Sequence, residues 1–234
     1  MGLLTPPRLS PGAEISTAGG AVVTVQSWRG EGSYAHVFHG VVKRSGRACA
    51  VKAPKLEVPE AAHRLDQERQ ILARLEHRQV VGLLDHAEWN GRSLLVLEWL
   101  EGETLRDLIT ARKRLPLRQA LDTLAGLADG LEHIHERGLV HGDLREQNVI
   151  VVAGRGPVLT DPLGEGSRAG DLLAAGAAFH RMVTGEAPSA SGDRLTTAAG
   201  YNPEAVRIWR LTQADASPAA AAVAEQARRL RSRL

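Results

Sequence analysis

The sequence predicts an α+β protein, a β-rich lobe followed by a helical lobe, and three observations carry that prediction. Between Ala21 and Ala53 the apolar residues fall in short β-branched runs, broken by Gly and by Arg44-Ser45-Gly46. From Thr104 onward the spacing turns helical, and Leu117 to His135 repeats apolar residues at 117, 120, 121, 124, 127, 128, 131 and 134, the stripe of a long buried helix. Between the two regions, Glu98–Gly102 reads as a connector. The boundaries that follow are a flexible leader at 1–20, rich in Pro, Gly, Ser and Thr, a β-rich lobe at 21–100 and a helical lobe at 101–234.

Taken in order, Val22, Val23 and Val25 predict a first strand, Val37–Val42 a second and Cys49–Val51 a third. Residues 60–76 set Leu65, Ile71, Leu72 and Leu75 mostly on one side with charges opposite, which predicts a helix. Val80–Leu84 and Ser93–Leu97 predict two more strands, with a turn at Trp89-Asn90-Gly91-Arg92 between them. Short β runs at Leu139–Val140, Val149–Val152 and Val158–Thr160 precede a helix over Asp171–Thr184, ended by Gly185 and Pro188. Two last helices are predicted over 203–212 and 218–232, the second with Ser217 as N-cap and Pro218 in its first turn.

A chain of 234 residues is long enough for one large domain or two lobes sharing a cleft. Hydrophobic residues at 43 % and charged residues at 24 % are ordinary for a soluble globular protein. A net charge of +2 offers no argument for nucleic acid, and the basic run Arg228–Arg233 reads as the solvated face of a last helix. With Cys49 the only cysteine, no internal disulfide is possible and a reducing compartment is expected. The start has neither a charged n-region nor an apolar h-region, and no apolar run is long enough to span a bilayer, so the expected address is the cytoplasm, without membrane contact.

The chemistry concentrates in His141-Gly142-Asp143-Leu144-Arg145-Glu146-Gln147-Asn148 and in Asp161-Pro162-Leu163-Gly164. Asp143, Asn148 and Asp161 supply the oxygen ligands that magnesium-dependent phosphoryl transfer needs and a carboxylate that can orient a hydroxyl. Upstream, Gly30-Glu31-Gly32-Ser33-Tyr34-Ala35-His36-Val37 lies between two strands. Glycines there let a turn approach phosphates through backbone N–H groups, although Gly-x-Gly alone describes an ordinary hairpin equally well. Lys52, at the end of Cys49-Ala50-Val51-Lys52, can neutralise phosphate charge. Glu68 on the following helix is placed to pair with it; alone it reads as a surface carboxylate.

In this order the residues resemble the protein kinase family, specifically its bacterial Ser/Thr type, from about residue 24 to about residue 230. Ile71–Val81 looks like the family's helix-to-strand passage, Val96–Leu105 like its hinge, and Asp171–Gly176 with Met182–Pro188 like its central helix. The resemblance implies a bilobal protein-kinase-like fold that uses ATP and Mg²⁺. It assigns Lys52 to the α/β-phosphates with Glu68 fixing the ammonium, Asp143 to the acceptor hydroxyl, and Asn148 and Asp161 to Mg²⁺. Arg145 takes the usual Lys position near the γ-phosphate, with a different donor geometry. Gly30, Gly32 and Ser33 would meet the phosphates, Val37, Ala50 and Ile150 would sandwich adenine, and the backbone at Glu98 and Leu100 would bond its edge, with Leu97 behind.

The pattern is broken at five places. Ala35 replaces the third glycine of the loop. Gly142 replaces the Arg that reads an activation-loop phosphate, Pro162-Leu163 replaces Phe-Gly, and Leu163 is expected between His141 and Leu72. No Ala-Pro-Glu follows and its late Arg partner is missing around Asp215–Pro218, a joint loss that leaves no buried charge unpaired. The peptide-docking platform is reduced to Glu165–Gly170, so the fold is shortened between Asp161 and Asp171.

The resemblance thus implies transfer of the ATP γ-phosphate to a Ser/Thr hydroxyl without activation-loop control, the acceptor or partner protein unknown. Two alternatives stand beside it. One is a pseudokinase-type nucleotide-binding scaffold with little or no catalysis. The other is a small-molecule phosphotransferase similar to the aminoglycoside and choline kinase group, favoured by His-Gly-Asp and the short path to Asp171 but disfavoured by the spacing from Glu98 to His141. Ser33, Thr104 and Ser167 are candidate acceptors, and the leader and last helix candidate contact surfaces. Cys49 reads as a packed thiol and His133, His135 and His141 as ordinary histidines rather than zinc ligands. Tyr34 either caps the phosphates or lies exposed; Trp99 either covers the cleft mouth or packs.

Overall fold

A computed structural model of the chain describes residues 9–188, 203–213 and 219–234. The chain divides into two compact units, one of residues 1–74 with 82–99 and one of residues 75–81 with 100–234.

The first unit is a six-stranded antiparallel sheet of β1 (Glu14–Ser16), β2 (Val22–Glu31), β3 (Ala35–Val42), β4 (Ala48–Pro54), β5 (Leu83–Trp89) and β6 (Arg92–Glu98), in the order β1-β2-β3-β4-β6-β5. Strand alternation gives the sheet two faces. Val23, Val25, Phe38, Cys49, Val51, Leu94 and Val96 fill the core on one. The register rows Val37–Lys52–Leu95 and His39–Ala50–Leu97 lie on the other. The core-side face also carries a cavity of about 270 Å³ over Trp28, Phe38 and Leu94, rimmed by Leu9–Pro11 and Leu56. Helix α1 (Ala61–Leu72) presents Leu65, Glu68, Ile71 and Leu72 as its buried stripe. Asn90 and Gly91 at φ 51° and 73° close the β5–β6 hairpin, the left-handed pair such a turn requires.

Three expectations change here. From residue 9 the leader is structured: β1 pairs with β2, and Ile15, 1 % exposed, completes the core. The predicted strand at Val80–Leu84 starts instead at Leu83, because Val80 bridges Leu159 and the Val81 amide donates to the Leu159 carbonyl, tying both valines to the second unit. The first helix ends at Leu72 rather than 76 for the same reason, since Leu75 already belongs to the second unit.

In the second unit, β7 (Gly102–Thr104), β8 (Val149–Val152) and β9 (Gly156–Leu159) form a small sheet, and α2 (Leu105–Arg112), α3 (Leu117–Glu136), α4 (Arg168–Thr184), α5 (Pro203–Thr212) and α6 (Ala220–Arg231) supply the helices. Helix α3 is central, buried at Leu121, Leu124, Leu127, Leu131 and Ile134, and packs on α4, α6 and β9. Its Gly126 explains the close approach: a Cβ there would meet Pro157 Cγ at 2.6 Å. Residues 139–140 form no strand; the Leu139 amide donates to the Ile134 carbonyl instead. Helix α4 starts three residues before Asp171, because Ser167 Oγ accepts from the Gly170 amide at 3.0 Å as an N-cap. Thr104 Oγ1 caps α2 in the same way, so two hydroxyls considered as acceptors hold helix ends. The basic tail is paired along α6: Arg228 with Asp129, Arg229 with Glu225, Arg231 with Asp122 and Arg233 with Glu204. The expected cap Ser217 and Pro218 lie outside the described residues. Among those described, no helix is long and apolar enough to cross a membrane.

Candidate functional site

In the first unit, β4 delivers Lys52 to the face opposite the core. Its Nζ lies 2.5 Å from Glu68 Oε2 of α1, with the side chains only 11 % and 6 % exposed. Burying two opposite charges costs several kcal/mol that their attraction only partly returns. A pair kept at that cost points to a task other than stability. The β2–β3 turn closes through the Gly32 amide on the Ala35 carbonyl at 2.8 Å. A Cβ built on Gly30 or Gly32 meets nothing within 4 Å, so open space surrounds the loop, with Ser33 exposed at its tip. Ala35 is buried opposite Pro54, a place that suits a small side chain without needing glycine. Tyr34 is half-buried with the Arg64 guanidinium 5.7 Å over its ring, which draws it toward α1. Val37 and Ala50 are half-buried on the Lys52 face.

At the end of β6, Glu98 holds Gly82 twice: its amide donates to the Gly82 carbonyl at 2.9 Å, and its Oε1 accepts from the Gly82 amide at 2.8 Å. Trp99 packs: the His39 ring meets it edge-on at 4.6 Å, and Arg29 lies 5.2 Å over it. Cys49 is fully buried, and loss of hydration pushes its thiol up to about 11.

In the second unit, the loop after α3 is held from below by Asp171 of α4. The Asp171 carboxylate accepts from the His141 amide, the Gly142 amide and His135 Nε2, at 2.9, 2.9 and 2.8 Å. Burial opposes its ionisation, but these donors outweigh burial and hold the carboxyl below the usual range. His141 is fully buried, its Nε2 donating to the Thr160 carbonyl at 3.0 Å and its Nδ1 accepting from the Asp143 amide at 3.3 Å. Burial holds this imidazole below its ordinary pKa, consistent with that neutral tautomer.

On this frame Asp143, Arg145 and Asn148 meet. Asn148 Nδ2 donates to the Asp143 carbonyl and to Oδ2, both at 2.9 Å, and Arg145 Nη2 donates to the same Oδ2 at 2.6 Å. The Thr160 amide donates to the Asn148 carbonyl at 2.9 Å, and the next residue, Asp161, stands at φ 60°, a left-handed conformation that Asp tolerates better than most. Ile150 is half-buried in β8, and Leu100 leads into β7.

The segment after Asp161 departs from expectation. Pro162 is the buried residue and Leu163 only half-buried. The chain turns back at once, the Leu163 and Gly164 amides donating to the His141 carbonyl at 2.8 and 3.2 Å. Gly142, at φ 77°, faces it, and a Cβ there would lie 2.1 Å from the Glu165 carbonyl oxygen.

The donor set suits Mg²⁺. With its Nδ2 committed to Asp143, Asn148 turns Oδ1 away as a hard acceptor, and Asp161 adds a carboxylate. Among the described residues no three His, Cys, Asp or Glu side chains gather to hold a metal unaided. Nucleotide-borne Mg²⁺ asks only one or two protein side chains, the rest coming from phosphate and water. His133 stacks on His77 with centroids 4.7 Å apart, away from the Asp171 hub that takes His135. The positioning roles of His135, Asp171 and Glu165 are not legible in sequence, because each depends on which backbone it meets.

A model of the protein kinase domain matches residues 24–162. The chain is 34 % identical over 125 residues to the serine/threonine-protein kinase pkn2 of Myxococcus xanthus, a match covering 52 % of this chain and 15 % of that protein. It is 28 % identical over 186 residues to PknL of Mycobacterium tuberculosis, covering 78 % of this chain and 43 % of PknL. It is also 31 % identical over 127 residues to the serine/threonine-protein kinase TIO of Arabidopsis thaliana, covering 53 % of this chain and 10 % of that protein. The chain therefore spans less than half the length of each.

Proposed function

The chain belongs to the protein kinase family, and from that premise we propose that it transfers the γ-phosphoryl group of ATP to a Ser or Thr hydroxyl of a protein acceptor without activation-loop control. The observation that carries this reading is the buried Lys52–Glu68 pair, an arrangement with a stability cost and a direct use toward phosphate.

In this reading Lys52 neutralises α- and β-phosphate charge while Glu68 keeps its ammonium in place. Gly30, Gly32 and Ser33 lie against the phosphates, Val37, Ala50 and Ile150 against the base, and the Glu98 and Leu100 backbone bonds the base edge. Asn148 and Asp161 hold Mg²⁺, which supplies charge neutralisation on the phosphates when bound. Asp143 takes the hydroxyl proton as the acceptor oxygen forms its bond to the γ-phosphorus and the bond to the β,γ-bridging oxygen breaks, releasing ADP. Arg145 sits close enough to Asp143 to orient its carboxylate, and offers the γ-phosphate donors.

A second reading, a nucleotide-binding scaffold, is favoured by that same contact, since a guanidinium on Oδ2 at 2.6 Å occupies the atom a hydroxyl would need. The third, a small-molecule kinase, rests on the short path from Asp161 to α4. ADP release from purified protein in Mg-ATP, wild type beside Asp143→Asn and Lys52→Met, separates them. Release that needs both residues supports the phosphotransferase. ATP-induced stabilisation that needs Lys52, with no turnover for any protein acceptor, supports the scaffold. Turnover with aminoglycoside or choline alone supports the third.

A further inference from the structure

Arg29 has no function in the account above, yet it sits on the functional face. Trp28 pairs with Phe38 and lines the cavity on the core side, while the irregularity that follows it brings Gly30 opposite Val37 and turns Arg29 with it to the other side, where Lys52 emerges. Its contact agrees: the guanidinium lies over Trp99, whose other neighbour, His39, belongs to the row His39–Ala50–Leu97. Arg29 is exposed, and among the described residues no hydrogen bond or ion pair engages its N–H groups. The contact with the ring face restrains the guanidinium beside Trp99, and a guanidinium carries more N–H donors than a ring face can engage.

Position along the sheet defines what those donors meet. Gly30 pairs with Val37, in the row that ends on Lys52 and Leu95, whereas Ser27 pairs with His39, in the row that ends on Ala50 and Leu97. Arg29 falls between, at the irregularity of β2 between Trp28 and Gly30. In the proposed binding mode Gly30 and Lys52 of the first row take phosphate charge while Val37 beside them and Ala50 of the second row take the base, so Arg29, next to Gly30 and opposite the Val37 end, borders the sugar that joins the two. A sugar hydroxyl oxygen accepts hydrogen bonds, which is what an in-plane guanidinium edge supplies.

Building on the nucleotide reading, we propose that Arg29, positioned over Trp99, is a specificity-determining residue that recognises the ribose 2′-hydroxyl of the bound nucleotide. The chemistry discriminates a ribonucleotide from its 2′-deoxy form, because only the former brings the 2′-hydroxyl oxygen as acceptor.

The test is equilibrium binding of Mg-ATP and Mg-2′-deoxy-ATP to the full chain, for wild type, Arg29→Leu, Trp99→Leu and Lys52→Met, with unfolding midpoints recorded for each. Wild type is expected to favour ATP by about tenfold, the range of one charge-assisted hydrogen bond at a solvated edge. Arg29→Leu, with an unchanged midpoint, is expected to bind both nucleotides equally, and Trp99→Leu to lose part of the preference. Equal affinities in wild type, or an undiminished preference in Arg29→Leu, overturn the assignment while Lys52-dependent binding still stands. Absence of any Lys52-dependent binding overturns the nucleotide reading and this assignment with it.

Discussion

The backbone of Glu165 occupies the space that any side chain on Gly142 would require: the built Cβ lies 2.1 Å from the Glu165 carbonyl oxygen and 2.8 Å from its amide nitrogen. The resemblance alone suggested that Arg is missing at 142 because no activation-loop phosphate remains to be read. The contact gives a more direct reason, since the shortened segment itself passes through that position.

Gly142→Ala is therefore expected to be nearly as harmful as Gly142→Arg, because the clash begins at Cβ and φ 77° already disfavours an L-residue. Strain and overpacking together predict about 2–4 kcal/mol of lost stability. Urea unfolding of both variants checks this, and an Ala variant as stable as wild type would refute it.

Lys52 and Glu68 allow stability to be separated from function. Lys52→Met alone leaves a buried carboxylate without its cation and is expected to cost about 3–5 kcal/mol. Adding Glu68→Leu removes the stranded charge, and the double variant is expected to regain most of that stability while nucleotide binding stays lost. Thermal melts with and without Mg-ATP read both quantities.

The Asp171 hub sets two acid windows. His141 has a folded-state pKa below its unfolded value of about 6.5, so the unfolded chain binds the extra proton and stability falls as pH drops below about 6.5. The Asp171 carboxyl is also depressed, so its contribution is present above the unfolded value of about 3.9 and is lost as pH falls further, through the folded value. Denaturant midpoints measured from about pH 8 down to about pH 2 should fall with acid, and the fall below about pH 4 should flatten in Asp171→Asn.

Cys49 is expected to resist alkylation in the folded protein. Its thiol is fully buried and pushed up to about 11, so almost no thiolate exists at pH 8 and reagent has no path to it. Labelling by iodoacetamide should proceed only at the rate of opening and become fast in urea.

The strands and helices that were legible carried their own pattern. Leu117–His135 announces α3 by period, and Asn90-Gly91 announces its turn by backbone need. Lys52 could be matched to Glu68 only through the ordered set of motifs that resembles the kinase family, since Glu68 alone reads as a surface carboxylate. Ile15 gave no signal, a single apolar residue in a Gly- and Ser-rich stretch whose strand exists only because β2 offers an edge. Val80 and Val81 look like any strand start, and their attachment to Leu159 is a tertiary choice. Asp171 reads as a helix residue because the amides of His141 and Gly142 that make it a hub lie far away in sequence.

The contact between Glu165 and Gly142 also constrains how this chain can change. A lone Gly142→Arg substitution collides with the short segment, whereas a lengthened segment with Gly142 retained would still lack an Arg at that position to read a phosphate. The two features form an epistatic pair, each fixing the other, so phosphorylation control could return only through a simultaneous change in both. The shortened connection thus behaves as a ratchet in sequence space, and engineering a switch into this protein would have to begin with loop and glycine together.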